Sequence, residues 1–207
     1  MFTGIVEEIG KIISLKPGEV FNIVIKAPIT APKCSLGDSV AVNGVCLTVT
    51  EINGENLSFN AVRETISRTC FSYFRVGTEV NLETALTLSK FIGGHLVSGH
   101  IDGTGRISKI VNIGDSKEIT VACDKNILKY VVEKGSVCID GIGLTVASCQ
   151  SDNFKIAVIP HTLKETILKN KNIGSVVNIE CDIIGKYVEK LVNKDSKKSL
   201  LDMLNEF

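Results

Sequence analysis

The stretch NGVCLTVT, from Asn43 to Thr50, returns in altered form as DGIGLTVA, from Asp140 to Ala147. Asn-Gly and Asp-Gly favour a type I′ hairpin turn, in which both central residues need a positive φ. Beyond each turn, apolar and smaller residues alternate. In the first copy this alternation places the apolar residues on one face of a strand and Cys46, with the threonines, on the other. At the position of Cys46 the second copy has Gly143.

The two hairpins belong to a longer internal repeat. Three further pairs of segments match in the same order, the first at an offset of 95 residues and the others at the 97 that relates the hairpins: Phe2–Ile12 with Val97–Ile107, Arg63–Thr69 with Pro160–Thr166, and Val76–Glu83 with Ile173–Glu180. Chance similarity between β-rich hairpins would not preserve both order and spacing. We therefore interpret the chain as a tandem duplication whose boundary falls at SKFIGGH, Ser89–His95.

The composition bounds the class of protein. The 207 residues are 44% hydrophobic and 22% charged, and 23 Lys plus Arg balance 23 Asp plus Glu. This length allows two domains of about a hundred residues, each able to bury a core. Because the net charge is zero, no overall field attracts nucleic acid or an anionic membrane, and we expect neither as a partner.

The sequence also predicts a soluble, cytoplasmic protein. The N-terminus MFTGIVEEIGKI has no basic segment and carries two glutamates by residue 8, and no run of about 18 apolar residues occurs. The seven cysteines are odd in number, form no C-x-x-C pair and lie mostly in apolar runs. That pattern is typical of reduced thiols rather than of disulfides or zinc ligands.

Short segments rich in Val, Ile and Thr, separated by turn dipeptides, predict one small antiparallel barrel in each half. One helix-like turn interrupts each half, within Arg63–Thr69 and Pro160–Thr166. After Gly185, apolar residues fall at helical spacing: Tyr187, Leu191, Leu200, Leu204 and Phe207. The apolar stripe of this helix needs a cover, which is either its own barrel or the same helix of other subunits.

Two positions carry a reactive side chain in only one copy of the repeat. Cys46 is matched by Gly143, and His100 is matched by Ile5. A cysteine is ordinarily a small buried apolar residue, and a histidine is often a hydrogen-bonded structural one. The asymmetry and the outward position of Cys46 favour a functional thiol. Histidine, with an unperturbed pKa of about 6.5, accepts a proton at neutral pH, so His100 is a candidate general base.

Three other polar residues are weaker candidates. Ser39 is matched by Ser136, so turn capping explains it, although pairing across the hairpin also puts it near Cys46. His95 lies in the glycine-rich GGHLVSGH, where a ligand can approach the backbone closely. His161 is interpreted as facing a ligand. The sequence contains neither an H-E-x-x-H metal motif nor a phosphate-binding glycine motif, and we expect neither a metal nor a nucleotide cofactor.

These segments closely resemble riboflavin synthase, a trimeric enzyme family of flavin biosynthesis, over residues 1–190. The resemblance rests on MFTGIVEEIG, NGVCLTVT, GGHLVSGHIDGTG, DGIGLTV and the paired VNLE and VNIE. It implies an all-β fold of two tandem six-stranded antiparallel Greek-key barrels followed by a C-terminal α-helix. The implied domains are an N-terminal lumazine-binding barrel over 1–95, a C-terminal one over 96–186, and a trimerisation helix over 187–207.

The resemblance also implies a reaction. Each barrel is expected to bind one 6,7-dimethyl-8-ribityllumazine, in an active site between the N-terminal barrel of one subunit and the C-terminal barrel of a neighbour in a homotrimer. A four-carbon unit moves between the two lumazines, which gives riboflavin and 5-amino-6-ribitylamino-2,4(1H,3H)-pyrimidinedione without a cofactor or metal. Pairing two bound reactants face to face supplies about 7 to 11 kcal/mol of barrier reduction.

Residue roles follow from the same resemblance. Cys46, His100 and Ser39 match the family's essential cysteine, active-site histidine and active-site serine, and Phe2 matches its N-terminal aromatic residue. We assign His100 to deprotonation of the C7 methyl group of one lumazine. Cys46, or a water held by Cys46 and Ser39, is assigned to addition at C7 of the other.

Substrate contacts are implied for segments of both halves. Those of the first barrel are Phe2, Gly4, Ile5, Val6, Cys46, Leu47, Thr48, Asn60, Ala61, Val62, Arg63, Glu64 and Thr65. Those of the second are His100, Ile101, Asp102, Lys134, Gly143, Leu144, Thr145, Val158, Ile159, Pro160, His161, Thr162 and Leu163.

One departure from the family bears on an alternative function. The family usually has serine where this chain has Gly143, and the change removes a hydroxyl near one bound lumazine, which weakens that site or admits a water. Bioluminescence antenna proteins that resemble the family bind a lumazine or flavin without converting it. They lose the cysteine and histidine context that stands intact here, so the sequence favours the enzyme, although Gly143 argues for the binding protein.

Overall fold

The computed structural model describes residues 1–195, in which strands predominate. Six strands build the first barrel: β1 (Glu8–Lys16), β2 (Val20–Lys26), β3 (Ser39–Val42), β4 (Val45–Asn53), β5 (Asn56–Val62) and β6 (Glu79–Thr84). They close in the order β1-β2-β5-β4-β3-β6, and every pair is antiparallel. Since β3, β4 and β5 are consecutive hairpins and β6 returns beside β3, the connection is a Greek key.

The second barrel repeats this plan. Its strands are β7 (Gly103–Ile113), β8 (Ser116–Cys123), β9 (Ser136–Ile139), β10 (Ile142–Cys149), β11 (Asn153–Val158) and β12 (Val176–Cys181). They close in the order β7-β8-β11-β10-β9-β12, again antiparallel throughout. The predicted all-β fold of two tandem six-stranded antiparallel barrels is confirmed.

Four α-helices accompany the barrels within residues 1–195: α1 (Arg63–Arg68), α2 (Lys125–Leu128), α3 (Pro160–Glu165) and α4 (Ile183–Asp195). The first and third are the helix-like turns that the repeat predicted. The terminal helix α4 contains Tyr187 and Leu191, whereas Leu200, Leu204 and Phe207 lie outside the described residues. None of the helices in the described part of the chain has the length and apolar character needed to span a bilayer.

The paired hairpins have the turn geometry that their sequences predict. Asn43 and Gly44 have φ values of 45° and 79°, and Asp140 and Gly141 have 47° and 81°, as a type I′ turn requires. In β4 the apolar row is buried, and Cys46 lies half-buried on the outer face. The two turns pack against each other so closely that a Cβ on Gly44 would lie 2.8 Å from the Gly141 nitrogen.

Buried polar side chains join the two barrels through a pair of equivalent hydrogen bonds. The amide of Asn81 donates to the Asp140 carbonyl at 2.9 Å, and the amide of Asn178 donates to the Asn43 carbonyl at the same distance. Lys171 forms a 2.8 Å ion pair with the buried Asp140 carboxylate. The asparagines of the paired VNLE and VNIE segments therefore hold the two halves together.

Candidate functional site

Two short segments that precede the barrels connect the two halves. We call residues 2–6 the first leader and residues 97–101 the second leader; they run ahead of β1 and β7. Phe2 and Val97 form an antiparallel bridge between them, with N···O distances of 2.7 and 3.0 Å. These two backbone hydrogen bonds hold the starts of both leaders together where the barrels meet.

Each leader packs on the hairpin of the other half. The Cys46 N–H donates to the Gly99 carbonyl at 2.9 Å, and the Gly143 N–H donates to the Gly4 carbonyl at 2.8 Å. The resemblance placed residues 4–6 with the first barrel and residues 100–102 with the second. In the structure, residues 4–6 line a cleft with the second hairpin, and residues 100–101 line a cleft with the first. The leaders cross over because the bridge holds them between the two hairpins.

The first cleft combines α1, the start of β4 and the second leader. Its volume is about 240 Å³, and it is lined by Val45, Cys46, Val62, Glu64, Thr65, Arg68, Thr69, Gly99, His100 and Ile101. Cys46 and His100, which come from different halves of the sequence, thus line the same cleft. Beside them, Arg68 and Glu64 form a 3.1 Å ion pair one helical turn apart.

The second cleft is the counterpart of the first, built from α3, the start of β10 and the first leader. It is smaller, at about 120 Å³, and is lined by Gly4, Ile5, Val6, Ile142, Gly143, His161, Thr162, Glu165 and Thr166. In it Ile5 and Gly143 occupy the places of His100 and Cys46. The two clefts are therefore built from equivalent elements but carry different side chains.

A polar trough of about 450 Å³ adjoins the second cleft. It shares Val6, His161 and Glu165 with the cleft. Its remaining lining is mostly charged: Glu7, Glu8, Ile9, Ile29, Lys164 and Lys169. The second cleft, whose own lining is partly apolar, thus adjoins a polar trough whose charged side chains can form hydrogen bonds.

The histidine ring of His95 lies beside Gly143. A Cβ built on Gly143 would be 3.1 Å from Nδ1 of His95. Burial lowers the pKa of His95, although Asp182 opposes this effect, so the ring is favoured in its neutral form. Gly143, which has no hydroxyl, therefore has the His95 ring beside it as a hydrogen-bonding group.

The structure separates the expected contact residues into two groups. Those that line a cleft are Gly4, Ile5, Val6, Cys46, Val62, Glu64, Thr65, His100, Ile101, Gly143, His161 and Thr162. Those that line neither are Phe2, Leu47, Thr48, Asn60, Ala61, Arg63, Asp102, Lys134, Leu144, Thr145, Val158, Ile159, Pro160 and Leu163. Part of the second group is core: Leu47, Ala61 and Val158 are buried, because alternate residues of a strand point into the barrel.

Phe2 and Ser39 also lie away from the clefts of their own chain. The Phe2 side chain is fully buried in a small cluster with Ala41, Val97 and Cys138, where it supports the leaders. Ser39 pairs with Thr48, whereas Cys46 pairs with Ala41, two pairs nearer the turn. Ser39 lines a separate depression of about 430 Å³ together with Lys33, Cys34, Asp38, Thr84, Ala85, Leu86, Thr87 and Lys90.

Seven cleft residues were not anticipated: Val45, Arg68, Thr69, Gly99, Ile142, Glu165 and Thr166. Four of these belong to the repeated segments Arg63–Thr69 and Pro160–Thr166, so the full length of those segments was the available signal. Thr69 and Thr166 are equivalent, and each donates its hydroxyl to a carbonyl four residues earlier at 2.6 Å. Across residues 1–195, no group of three or more His, Cys, Asp or Glu side chains is arranged to hold a metal ion.

Two closed Greek-key barrels, each presenting a cleft beside a paired hairpin, define a tandem-barrel binding protein. The family model for the lumazine binding domain matches the chain twice, over residues 3–85 and 98–182. The chain therefore belongs to the lumazine-binding domain family.

Similar proteins include both enzymes and binding proteins. The riboflavin synthase of Actinobacillus pleuropneumoniae is 44% identical over 207 residues, which cover 98% of this chain and 96% of that protein. The riboflavin synthase of Bacillus subtilis (strain 168) is 42% identical over 195 residues, covering 94% and 91%. The crystal structure of LumP complexed with riboflavin has a TM-score of 0.81 at 26% identity and covers 87% of this chain and 99% of that one.

Proposed function

We propose that the protein is a riboflavin synthase. It converts two molecules of 6,7-dimethyl-8-ribityllumazine into riboflavin and 5-amino-6-ribitylamino-2,4(1H,3H)-pyrimidinedione by transfer of a four-carbon unit. The observation that carries this proposal is the pair of clefts, which have equivalent positions but unequal side chains. Like clefts suit two copies of one substrate, and unequal chemistry suits a reaction in which one copy donates and the other accepts.

The clefts offer the groups that this substrate requires. Val45 and Val62 in the first cleft, and Ile142 and Val6 in the second, give apolar surface for a flat heterocycle. The polar trough beside the second cleft suits a polyhydroxylated ribityl chain, since its charged side chains donate and accept hydrogen bonds. The alternative, an antenna-type protein such as LumP, would need the same surfaces but not a reactive thiol and imidazole in one cleft.

We assign the residue roles that the resemblance implies, to side chains that line the first cleft. His100 removes the proton from the C7 methyl group of one lumazine, and Cys46, or a water beside it, adds to C7 of the other. Orientation by the cleft walls lowers the barrier further, since holding two reactants in register is worth about 7 to 11 kcal/mol. His161 and Thr162 bind in the second cleft, where no residue replaces the thiol of Cys46.

The active site is completed by a neighbouring subunit. With volumes of about 240 and 120 Å³, both clefts are smaller than the roughly 300 to 1,000 Å³ of typical ligand pockets. Ser39 and Lys134, both expected at the site, line neither cleft of their own chain. We infer that the first cleft of one subunit faces the second cleft of another, with Ser39 and Lys134 supplied across the interface.

The terminal helix supports assembly into a homotrimer. Its polar side contacts its own second barrel: Lys186 pairs with Asp102 at 2.7 Å, and Glu189 accepts from Lys129 at 3.0 Å. Its apolar side is exposed, with 52% to 65% of each side chain accessible: Ile184, Tyr187, Val188, Leu191 and Val192. An apolar helix face that its own barrel leaves uncovered is suited to the same helix of other subunits.

Replacing Leu191 with Glu is expected to dissociate the assembly and to abolish turnover, because a charge would enter the interface and separate the facing clefts. Sedimentation equilibrium measures the subunit number, and a riboflavin assay on the same sample measures activity. The matched control is Lys190→Glu, an exposed polar position on the same helix, which should keep both. A Leu191→Glu protein with unchanged mass and activity would contradict the assembly.

The function is tested by incubating the purified protein with 6,7-dimethyl-8-ribityllumazine alone and quantifying every flavin product. A synthase yields one riboflavin and one pyrimidinedione for every two lumazines consumed. An antenna-type protein retains the lumazine and its fluorescence without conversion, and that result would refute the proposal.

We also infer a cytoplasmic location. All seven cysteines, each within the described residues, are free thiols, and Cys70, Cys138 and Cys181 are buried. Free thiols in this number are typical of a reducing compartment. Fractionation of the producing cells, with the protein detected by its lumazine-converting activity, tests this location.

A further inference from the structure

The last residues of the paired VNLE and VNIE segments are buried glutamates that hold the two leaders. Glu83 and Glu180 are each only 2% exposed. Glu180 accepts from the Ser98 N–H and hydroxyl, both at 2.6 Å, and from the Gly99 N–H at 2.9 Å. Glu83 accepts from the Thr3 N–H, the Thr3 hydroxyl and the Gly4 N–H at 2.7, 2.6 and 3.0 Å. Each carboxylate thus accepts three hydrogen bonds from the leader of its own half, and Glu83 also pairs with Lys90 at 3.4 Å.

The contacts of Glu180 lead directly to the two reactive residues of the first cleft. The Ser98 hydroxyl, which donates to Glu180, accepts from the His100 N–H at 3.2 Å. Gly99 donates its N–H to Glu180, and its carbonyl accepts from the Cys46 N–H. One carboxylate therefore fixes the peptide units that orient His100 against Cys46.

The other end of the second leader is also anchored. Asp102 accepts from the Cys181 N–H at 2.8 Å and pairs with Lys186 of α4. His100 therefore lies between two anchored points, only one residue beyond the Gly99 bond. Because its side chain is exposed, its position depends on the backbone rather than on packing around the ring.

Ionised Glu180 is held by hydrogen bonds rather than by solvent. Burial raises the pKa of its carboxyl group, and the bonds from Ser98 and Gly99 oppose that rise. A buried carboxylate is stable in its charged form only while these donors are in place. If the second leader moved away, Glu180 would have to become exposed or protonated. The arrangement favours one leader conformation.

We propose that Glu180 is a positioning residue for lumazine conversion: it holds the second leader so that His100 stands beside Cys46 in the first cleft. The inference rests on the riboflavin synthase function proposed above. Glu180 does not line the cleft and acts through Ser98 and Gly99. Glu83 does the same for the second cleft, where the leader carries Ile5 instead of a histidine.

The change Glu180→Gln tests this role with little change in volume. Glutamine has one acceptor oxygen, so its amide group would face either the Gly99 or the Ser98 N–H, donor against donor. We expect kcat to fall about 10- to 100-fold while KM changes little, since a small misplacement of a catalytic group costs rate. Glu180→Asp keeps both oxygens, although it is one methylene shorter, and should recover part of the loss.

The matched control is Glu83→Gln, which removes the same kind of bond from the leader of the second cleft. It is expected to raise KM more than it lowers kcat, because that cleft binds substrate without a reactive side chain. A loss of kcat in Glu83→Gln equal to that in Glu180→Gln, or a Glu180→Gln kcat within threefold of wild type, would overturn the positioning role. The melting temperatures of both variants show whether a loss of kcat comes from misplacement of the leader or from unfolding.

A milder pair applies if either glutamine variant does not fold. Ser98→Ala removes only the hydroxyl between Glu180 and the His100 N–H, and Thr3→Ala removes the equivalent hydroxyl between Glu83 and the Ile5 N–H, whose distance is 3.3 Å. The same contrast is expected, with kcat lowered in Ser98→Ala and KM raised in Thr3→Ala. Equal kcat values in these two variants would refute the proposal.

A measurement independent of turnover separates this inference from the proposed function. The chain has three histidines, so their ring signals in proton–nitrogen NMR spectra are assigned by substitution. Glu180→Gln should shift the His100 signal, and Glu83→Gln should shift the His161 signal, since His161 lines the second cleft together with Ile5. If wild type fails to convert lumazine, the synthase proposal falls, and this contrast still decides whether Glu180 positions His100. An unmoved His100 signal in Glu180→Gln would reject it.

Discussion

Replacing His100 with Ala is expected to lower kcat by about 10²- to 10⁴-fold, the usual contribution of a positioned general base. His100 is exposed on the second leader, so its removal leaves the buried core intact and should change the melting temperature little. Substrate binding should remain measurable, because most of the first cleft is lined by β4, α1 and the two residues that flank α1. Steady-state formation of riboflavin gives kcat and KM, and fluorescence titration gives lumazine affinity.

Cys46 and His161 provide the companion measurements. Cys46→Ser should also bind lumazine and turn over slowly, and Cys46→Ala should be slower still if the side chain holds an attacking water. His161→Ala, in the second cleft, is the matched control and should raise KM while retaining kcat within a few fold. Full activity of both His100→Ala and Cys46→Ser would refute the assignment of the first cleft as the reactive one.

The second large effect is expected at Gly99, where an alanine should strongly lower turnover. A Cβ on Gly99 would lie 2.5 Å from the Cβ of Cys46 and 2.9 Å from its nitrogen, so the leader and the hairpin have to separate. The φ of +84° adds a strain of about 1 to 3 kcal/mol for a residue with a side chain. Since the leader carries His100, its displacement removes the base from the cleft, and kcat should drop by about 10²-fold or more.

Gly174→Ala separates strain from displacement. Gly174 has a φ of +93°, and no atom lies within 4 Å of a Cβ built on it, so only the backbone cost applies. Both variants should lose stability in urea titrations, but only Gly99→Ala should lose activity in the folded range. If Gly174→Ala loses as much activity per unit of lost stability as Gly99→Ala does, backbone strain alone explains the effect at Gly99. The close contact with Cys46 would then have no special role.

Much of the fold could be predicted from local sequence patterns. The offset between the repeats, the Asn43-Gly44 and Asp140-Gly141 turns, and the alternation in β4 each have a direct structural counterpart. They are predictable because turn dihedrals and strand faces depend on residues only a few positions apart. The repeat also identified the unequal pair of Cys46 and Gly143 before any contact was known.

The composition of each cleft was harder to predict. The resemblance grouped residues 4–6 with the first barrel and residues 100–101 with the second, whereas each leader packs on the hairpin of the other half. Adjacency in sequence does not indicate which hairpin a leader contacts. Leu47 and Ala61 were included with their neighbours although they point into the core. Resemblance carries over whole segments, whereas a strand exposes only every second residue to a ligand.

The sequence by itself determined the duplication, the hairpins and the loss of a side chain in one copy, since these depend on short-range rules and on comparing the chain with itself. Only the tertiary structure decided that each leader packs on the hairpin of the other half, that His100 and Cys46 line one cleft, and that Phe2 is buried. These contacts join residues far apart in the chain, such as Ser98 and Glu180 at a separation of 82 residues. Such pairs meet because both barrels bury polar groups that have to find partners, and no local pattern records which partner that will be.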